Sequence, residues 1–92
     1  MFYVYVLASE QTKWTYVGYT SNLRQRLQSH NSGKSTYTSH RGLWRLAYYE
    51  AYASEADARD RERTLKLHAN TLGLLKKRIT RSLKGVGALG AA

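Results

Sequence analysis

The stretch Phe2-Tyr3-Val4-Tyr5-Val6-Leu7-Ala8 is an unbroken run of aromatic, β-branched and small apolar residues without a charge. At the two-residue period of a strand, Tyr3, Tyr5 and Leu7 take one face and Val4, Val6 and Ala8 the other. Both faces are largely apolar, so this strand is covered on both sides or paired centrally in a very small sheet. Thr15 to Tyr19 reads as its partner. The polar run Ser9 to Lys13 between them predicts an antiparallel hairpin with a loop longer than the tight two-residue type.

After Gly18 the hydrophobic period changes. Thr20, Ser21 and Asn22 are candidate N-caps, and Leu23 to about His30 follows a helical pattern in which the arc holding Leu23 and Leu27 also holds Arg26 and His30. Asn31 to Gly42 is Ser-, Thr- and Gly-rich and reads as loop; Leu43 to Glu50 is a third candidate strand. Ser54 followed by Asp57 resembles a capping box opening a second helix to roughly Ala69. On that helix Leu65, Ala58 and Ala69 form the apolar stripe, with Glu62 and Arg61 at its borders. Asn70 or Thr71 can cap a third helix carrying Leu72, Leu75, Ile79 and Leu83, with Lys77 and Arg81 pointing away. The expectation is an α/β (α+β) fold in the order β-β-α-β-α-α, a small, mostly antiparallel three-stranded sheet flanked by three helices. A single domain spans 1–84, and a flexible Gly/Ala-rich tail spans 85–92.

The chain has 92 residues, below one typical domain, so no second domain is expected. Leu, Ile, Val and Phe number only 18 of those 92, a proportion that with high charge would suggest disorder; eight Tyr and two Trp supply the missing core area. Lys and Arg total 15 against 6 Asp and Glu, a net charge of +9, which points to nucleic acid ahead of an acidic protein or a membrane surface. The absence of Cys excludes disulfides and thiolate zinc sites. With no apolar run long enough for a membrane span and no signal-peptide pattern, the expected location is cytoplasmic.

Four polar groups stand where apolar ones would be energetically cheaper: Arg26 and His30 one turn apart on the first helix, Glu62 beside the second helix's stripe, and the tyrosine hydroxyls of the early strands. A buried ion without a partner is costly, so Arg26 and Glu62 must pair, face a cleft or reach solvent. A structural salt bridge between them, a helix-end histidine satisfied by hydrogen bonding and plain sheet packing of Tyr5 and Tyr16 are the purely structural alternatives.

Tyr3-Val4-Tyr5, then Tyr16-Val17-Gly18, then Asn22-Leu23, Arg26-Leu27 and His30 in that order resemble the GIY-YIG nuclease family, particularly its small free-standing members and the nuclease domain of the excision-repair incision subunit. Ala58, Glu62, Leu65 and Lys66 resemble the segment bearing that family's metal-binding glutamate. The resemblance implies a DNA phosphodiesterase using one Mg²⁺ or Mn²⁺ per site, with structure-specific action in repair or recombination as the associated expectation. Carried over residue by residue, it makes Tyr5 and Tyr16 the paired hydroxyls, Arg26 the phosphate clamp, His30 an auxiliary residue and Glu62 the metal ligand. Lys34, Tyr37 and Thr38 resemble the polar loop beside the site; Arg24, Arg61 and Lys66 join them as candidate nucleic-acid contacts. The chain departs from the pattern at Tyr3, which replaces the first motif's Gly, and at Leu74, where several members have Asn.

The chemistry of the residues is compatible with that assignment. Hydrolysing a phosphodiester places negative charge on a pentavalent phosphorus, and a hard cation on a carboxylate together with a planar guanidinium can stabilise it. A tyrosine near pKa 10 is a poor base unless neighbouring positive charge favours its phenolate, whereas a histidine near 6.5 is the easier acceptor. Tyr5 is favoured as base or water-orienting group, helped by His30, with Tyr16 hydrogen-bonding the phosphate or a metal-bound water; the two tyrosines can exchange roles. The alternative is a DNA- or RNA-binding module that keeps the scaffold without useful catalysis. A monomer or weak homodimer is expected, the latter through Leu74.

Overall fold

The computed structural model describes residues 1–32 and 43–84. Lys34, Tyr37 and Thr38 and the tail 85–92 lie outside the described residues. The two-faced apolar run is β1 (Phe2–Ser9), and it is the centre of the sheet, hydrogen-bonded antiparallel to β2 (Thr15–Thr20) on one side and to β3 (Trp44–Tyr52) on the other. Central pairing and cover on both faces both hold: Val4, Val6, Leu7 and Tyr5 are each almost wholly buried. Burying one such aliphatic side chain contributes roughly 1.5–3 kcal/mol, which suits a short chain with few aliphatics.

Two cores result, one on each face. Tyr5, Leu7 and Trp44 form the first, packed with Tyr16, Leu23, Leu27 and Leu46 under α1 (Leu23–Asn31). Val4, Val6 and Val17 form the second with Ala58 and Leu65 of α2 (Glu55–Leu67) and Leu75 of α3 (Ala69–Arg78). Strict alternation along β3 would put Trp44, Leu46 and Tyr48 on one face. A register shift between Val6 and Leu7 instead leaves Ala47 without a partner: Val6 faces Tyr48 while Leu7 faces Leu46. This one-residue bulge switches faces, sending Tyr48 to the second core and Leu46 and Trp44 to the first.

The caps follow the sequence for α1 and α2. Asn22 accepts from the Gln25 amide at 3.1 Å, and Ser54 accepts from the Asp57 amide at 3.4 Å. The third helix differs from expectation. Neither Asn70 nor Thr71 caps it; His68, in extended conformation, ends α2 and begins α3 with no connecting loop. The helical pattern then breaks at Ile79, so that a short α4 (Thr80–Leu83) follows and the described residues hold four helices rather than three. Arg45 secures this end by donating to the carbonyls of Ser82, at 2.7 Å, and Leu83. No helix of the described residues is long and apolar enough to cross a membrane.

Candidate functional site

The site begins with a close approach between β1 and β2. Tyr5 lies directly opposite Gly18 in the ladder. Its ring crosses the position a side chain would occupy: a β carbon on Gly18 would lie within 3.0 Å of the Tyr5 hydroxyl oxygen, Cζ and Cε1. The glycine of the second motif is therefore required by the tyrosine of the first. Tyr16, on the same face of β2, comes beside it, with ring centroids 6.3 Å apart.

From α1, His30 and Arg26 reach these rings one turn apart. His30 is 1% exposed, with Nε2 2.9 Å from Tyr5 Oη and its ring edge-on to Tyr16 at 4.9 Å. Arg26 enters from solvent, its Nε donating to Tyr5 Oη at 3.4 Å while the guanidinium also hydrogen-bonds Tyr16. Tyr5 Oη thus has a cation on one side and an imidazole on the other.

Glu62 and Lys66 belong to α2, which packs under the other face, yet they meet this group around the edge strand β2. Lys66 Nζ sits over the Tyr16 ring, 5.4 Å from its centroid, and pairs with Glu62 at 3.0 Å. The Glu62 charge acts on the Tyr5 phenol. Arg26 and Glu62 do not form the salt bridge that composition alone allows, because Glu62 takes Lys66 instead.

Burial dominates the electrostatics. The Tyr5 hydroxyl is pushed up to about 12, mainly by desolvation, with Tyr16 and Glu62 adding to it and the Arg26 hydrogen bond opposing. His30 is pushed down to about 4, first by burial and then by the Arg26 charge, so its imidazole is neutral at pH 7. Hydrogen bonding to Tyr5 raises Arg26 and keeps it charged.

Glu62 is the oxygen donor that a hard divalent cation would use at this site. Its side chain is 24% exposed and pairs with the Lys66 ammonium at 3.0 Å, and the 290 Å³ cavity it borders is otherwise lined by Arg59, Arg63, Lys66 and Leu67, so a cation bound there would have to replace Lys66. Among the described residues no three His, Cys, Asp or Glu side chains converge, so such an ion would take most of its ligands from water and a phosphate, as Mg²⁺ commonly does.

Arg61 and Arg24 stand apart from this group. Arg61 grips Glu50 of β3 with two hydrogen bonds, at 2.9 and 3.0 Å, and Glu50 also accepts from Tyr48 at 2.6 Å and from Tyr52. Burial opposes the Glu50 charge most strongly, but these donors together hold its carboxyl below the ordinary range. The cluster ties α2 to β3 and leaves Arg61 committed. Its signal was present in the alternation Tyr48, Glu50, Tyr52 facing an arginine at the border of the α2 stripe. Arg24 is exposed on α1 and joins no salt bridge among the described residues.

A three-stranded antiparallel sheet with two tyrosines, an arginine and a histidine on one face and a glutamate at its edge defines a small α/β domain of the GIY-YIG type. The chain belongs to the GIY-YIG family: residues 1–80 match the GIY-YIG catalytic domain. It is 41% identical over 83 residues to UPF0213 protein SpyM50708 of Streptococcus pyogenes serotype M5, covering 89% of this chain and 78% of that protein. UPF0213 protein SpyM3_1077 of serotype M3 matches to the same extent, 41% over 83 residues with 89% and 78% coverage. The solution NMR structure of the UPF0213 protein BH0048 from Bacillus halodurans superposes with a TM-score of 0.53 at 30% identity, covering 90% of this chain and 92% of that one.

Proposed function

We propose that this domain binds nucleic acid through a phosphate at Arg26 and, with Mg²⁺ or Mn²⁺ at Glu62, hydrolyses DNA phosphodiester bonds. The observation that carries the reading is the Tyr5 hydroxyl held between Arg26 Nε at 3.4 Å and His30 Nε2 at 2.9 Å, at a face the guanidinium enters from solvent. Arg26 is fixed by the two tyrosines, and its remaining N–H groups are the donor fork for a nonbridging phosphate oxygen. With Arg26 donating to Tyr5, the phenolic proton goes to the neutral His30. Tyr5 can then take a proton from an attacking water while releasing its own to Nε2, as the water oxygen bonds to phosphorus and the P–O ester bond breaks. Phosphate charge beside Arg26 offsets the smaller of the two causes that depress His30, burial being the larger, and so makes it a somewhat better acceptor at that moment. Tyr16 orients the phosphate. A cation at Glu62 supplies neutralisation of the charge developing on the phosphate and leaving oxygen.

One observation favours a second reading, binding of DNA or RNA without useful cleavage. Among the described residues Glu62 is the lone carboxylate beside this group, and it is satisfied by Lys66 at 3.0 Å, which supports phosphate binding without added metal. Leu74, 65% exposed, offers no polar group in place of the family's Asn. Incubation with nicked, flapped, branched and plain duplex DNA in Mg²⁺ or Mn²⁺ decides between them. Cleavage that falls at least about a hundredfold in Glu62→Gln and in Arg26→Ala establishes the nuclease. Salt-sensitive binding without cleavage, indifferent to metal, establishes the binder.

A further inference from the structure

A second basic cleft, of 730 Å³, opens at the hairpin end of the sheet, between the β1–β2 turn and the ends of α3 and α4. Lys13, Trp14, Arg45, Lys76, Leu83 and Lys84 line it. None of these belongs to the group around Tyr5. The two tryptophans of the chain have opposite environments: Trp44 is 2% exposed in the first core, whereas Trp14 is 48% exposed on the wall of this cleft. Lys13, Lys76 and Lys84 enter no salt bridge among the described residues, and Glu10 is the acid they share the cleft with. Arg45 is used differently, holding the Ser82 and Leu83 carbonyls so that the α4 wall stays in place.

A half-exposed indole in a concave, lysine-lined cleft has the two features a polynucleotide strand requires: a flat π surface for a base and separated cations for successive phosphates. A paired base cannot reach such a ring without leaving its stack, so the fit is to an unpaired strand. We propose that this cleft is a second nucleic-acid contact, holding single-stranded DNA by a base stacked on Trp14 and phosphates against Lys13, Lys76 and Lys84. It goes beyond the reading of the Tyr5 site and stands whether or not that site cleaves.

The test uses the full chain in chelator at low salt, titrated with oligo-dT while indole emission is followed. Buried Trp44 serves as the internal constant. The expected result is saturable quenching of the Trp14 component, with affinity for labelled oligo-dT reduced about tenfold in Trp14→Leu and at least as much in Lys76→Glu/Lys84→Glu. The titration is run in chelator and follows the Trp14 indole, not cleavage, which separates failure here from failure of the catalytic reading. Absent quenching, unchanged affinity in both variants, displacement by base-free polyphosphate as efficient as by oligo-dT, or equal quenching by anionic lipid vesicles would each overturn the proposal. Should Trp14→Leu not fold, the parent's fluorescence and the lysine double variant decide.

Discussion

Gly18→Ala is the sharpest test of how the site is built. Ordinary van der Waals contact begins near 3.4 Å, and the new methyl would stand 2.9 Å from Tyr5 Cε1 and closer still to Cζ and Oη. The ring must therefore retreat by about 0.5 Å at Cε1 and by more at its hydroxyl end. Tyr5 is 2% exposed, with His30 and Tyr16 packed on it, so there is no free volume to receive it. Overpacking of this kind costs about 1–3 kcal/mol, which for a domain this small lowers the melting temperature by roughly 5–20 °C. Displacing Oη also disturbs the 2.9 Å contact with His30 and the 3.4 Å contact with Arg26, whose geometry depends on where that oxygen stands. Activity, where present, should fall about a hundredfold from a shift of that size. Thermal denaturation reads the stability, and a Tyr5→Leu/Gly18→Ala double variant supplies the control. Removing the ring removes the clash, so the double variant should be more stable than the two single effects predict by about 1 kcal/mol or more. Gly18→Ala melting with the parent, or strictly additive effects in the double variant, would refute the packing on which the site rests.

His30 makes stability depend on pH. Its folded pKa near 4 lies below the ordinary 6.5, so the unfolded chain binds more protons between those values; its contribution is complete above about 6.5 and is lost as pH falls toward 4. Urea denaturation should show about 2 kcal/mol lost to this group between pH 7 and 5, and His30→Gln should flatten that slope; an unchanged slope would mean His30 does not titrate as described. Glu50→Gln, which weakens the grip on Arg61, Tyr48 and Tyr52, should cost about 1–3 kcal/mol and leave affinity for duplex DNA within about twofold of the parent; a large gain of affinity would place the freed Arg61 on the nucleic acid after all. In chelator, Glu62→Gln frees Lys66 and should tighten binding to plain duplex DNA by about two- to fivefold, measured by anisotropy; weaker binding would separate the Glu62–Lys66 pair from the phosphate path.

Elements whose signals are local were legible in the chain. β1 announced its central place because seven residues without a charge leave no face for water, and the Asn22 and Ser54 caps are satisfied within three residues. The third helix was misread because its start and its break depend on neighbours: His68 joins α2 directly to α3, and α4 turns off at Ile79, whose side chain is needed in the second core.

What the residues determined by themselves is an antiparallel hairpin carrying Tyr5 and Gly18, the placement of Arg26 and His30 one turn apart, and a strongly basic balance; the first two follow from periodicity along a strand or helix and the last from composition. Folding alone decided which charges were spoken for. The bulge at Ala47 divides β3 between two cores, Glu50 claims Arg61, and Lys66 reaches around β2 to Tyr16. Partners that lie far apart in the chain are chosen by which surfaces the layers bring together, and composition carries no record of that choice.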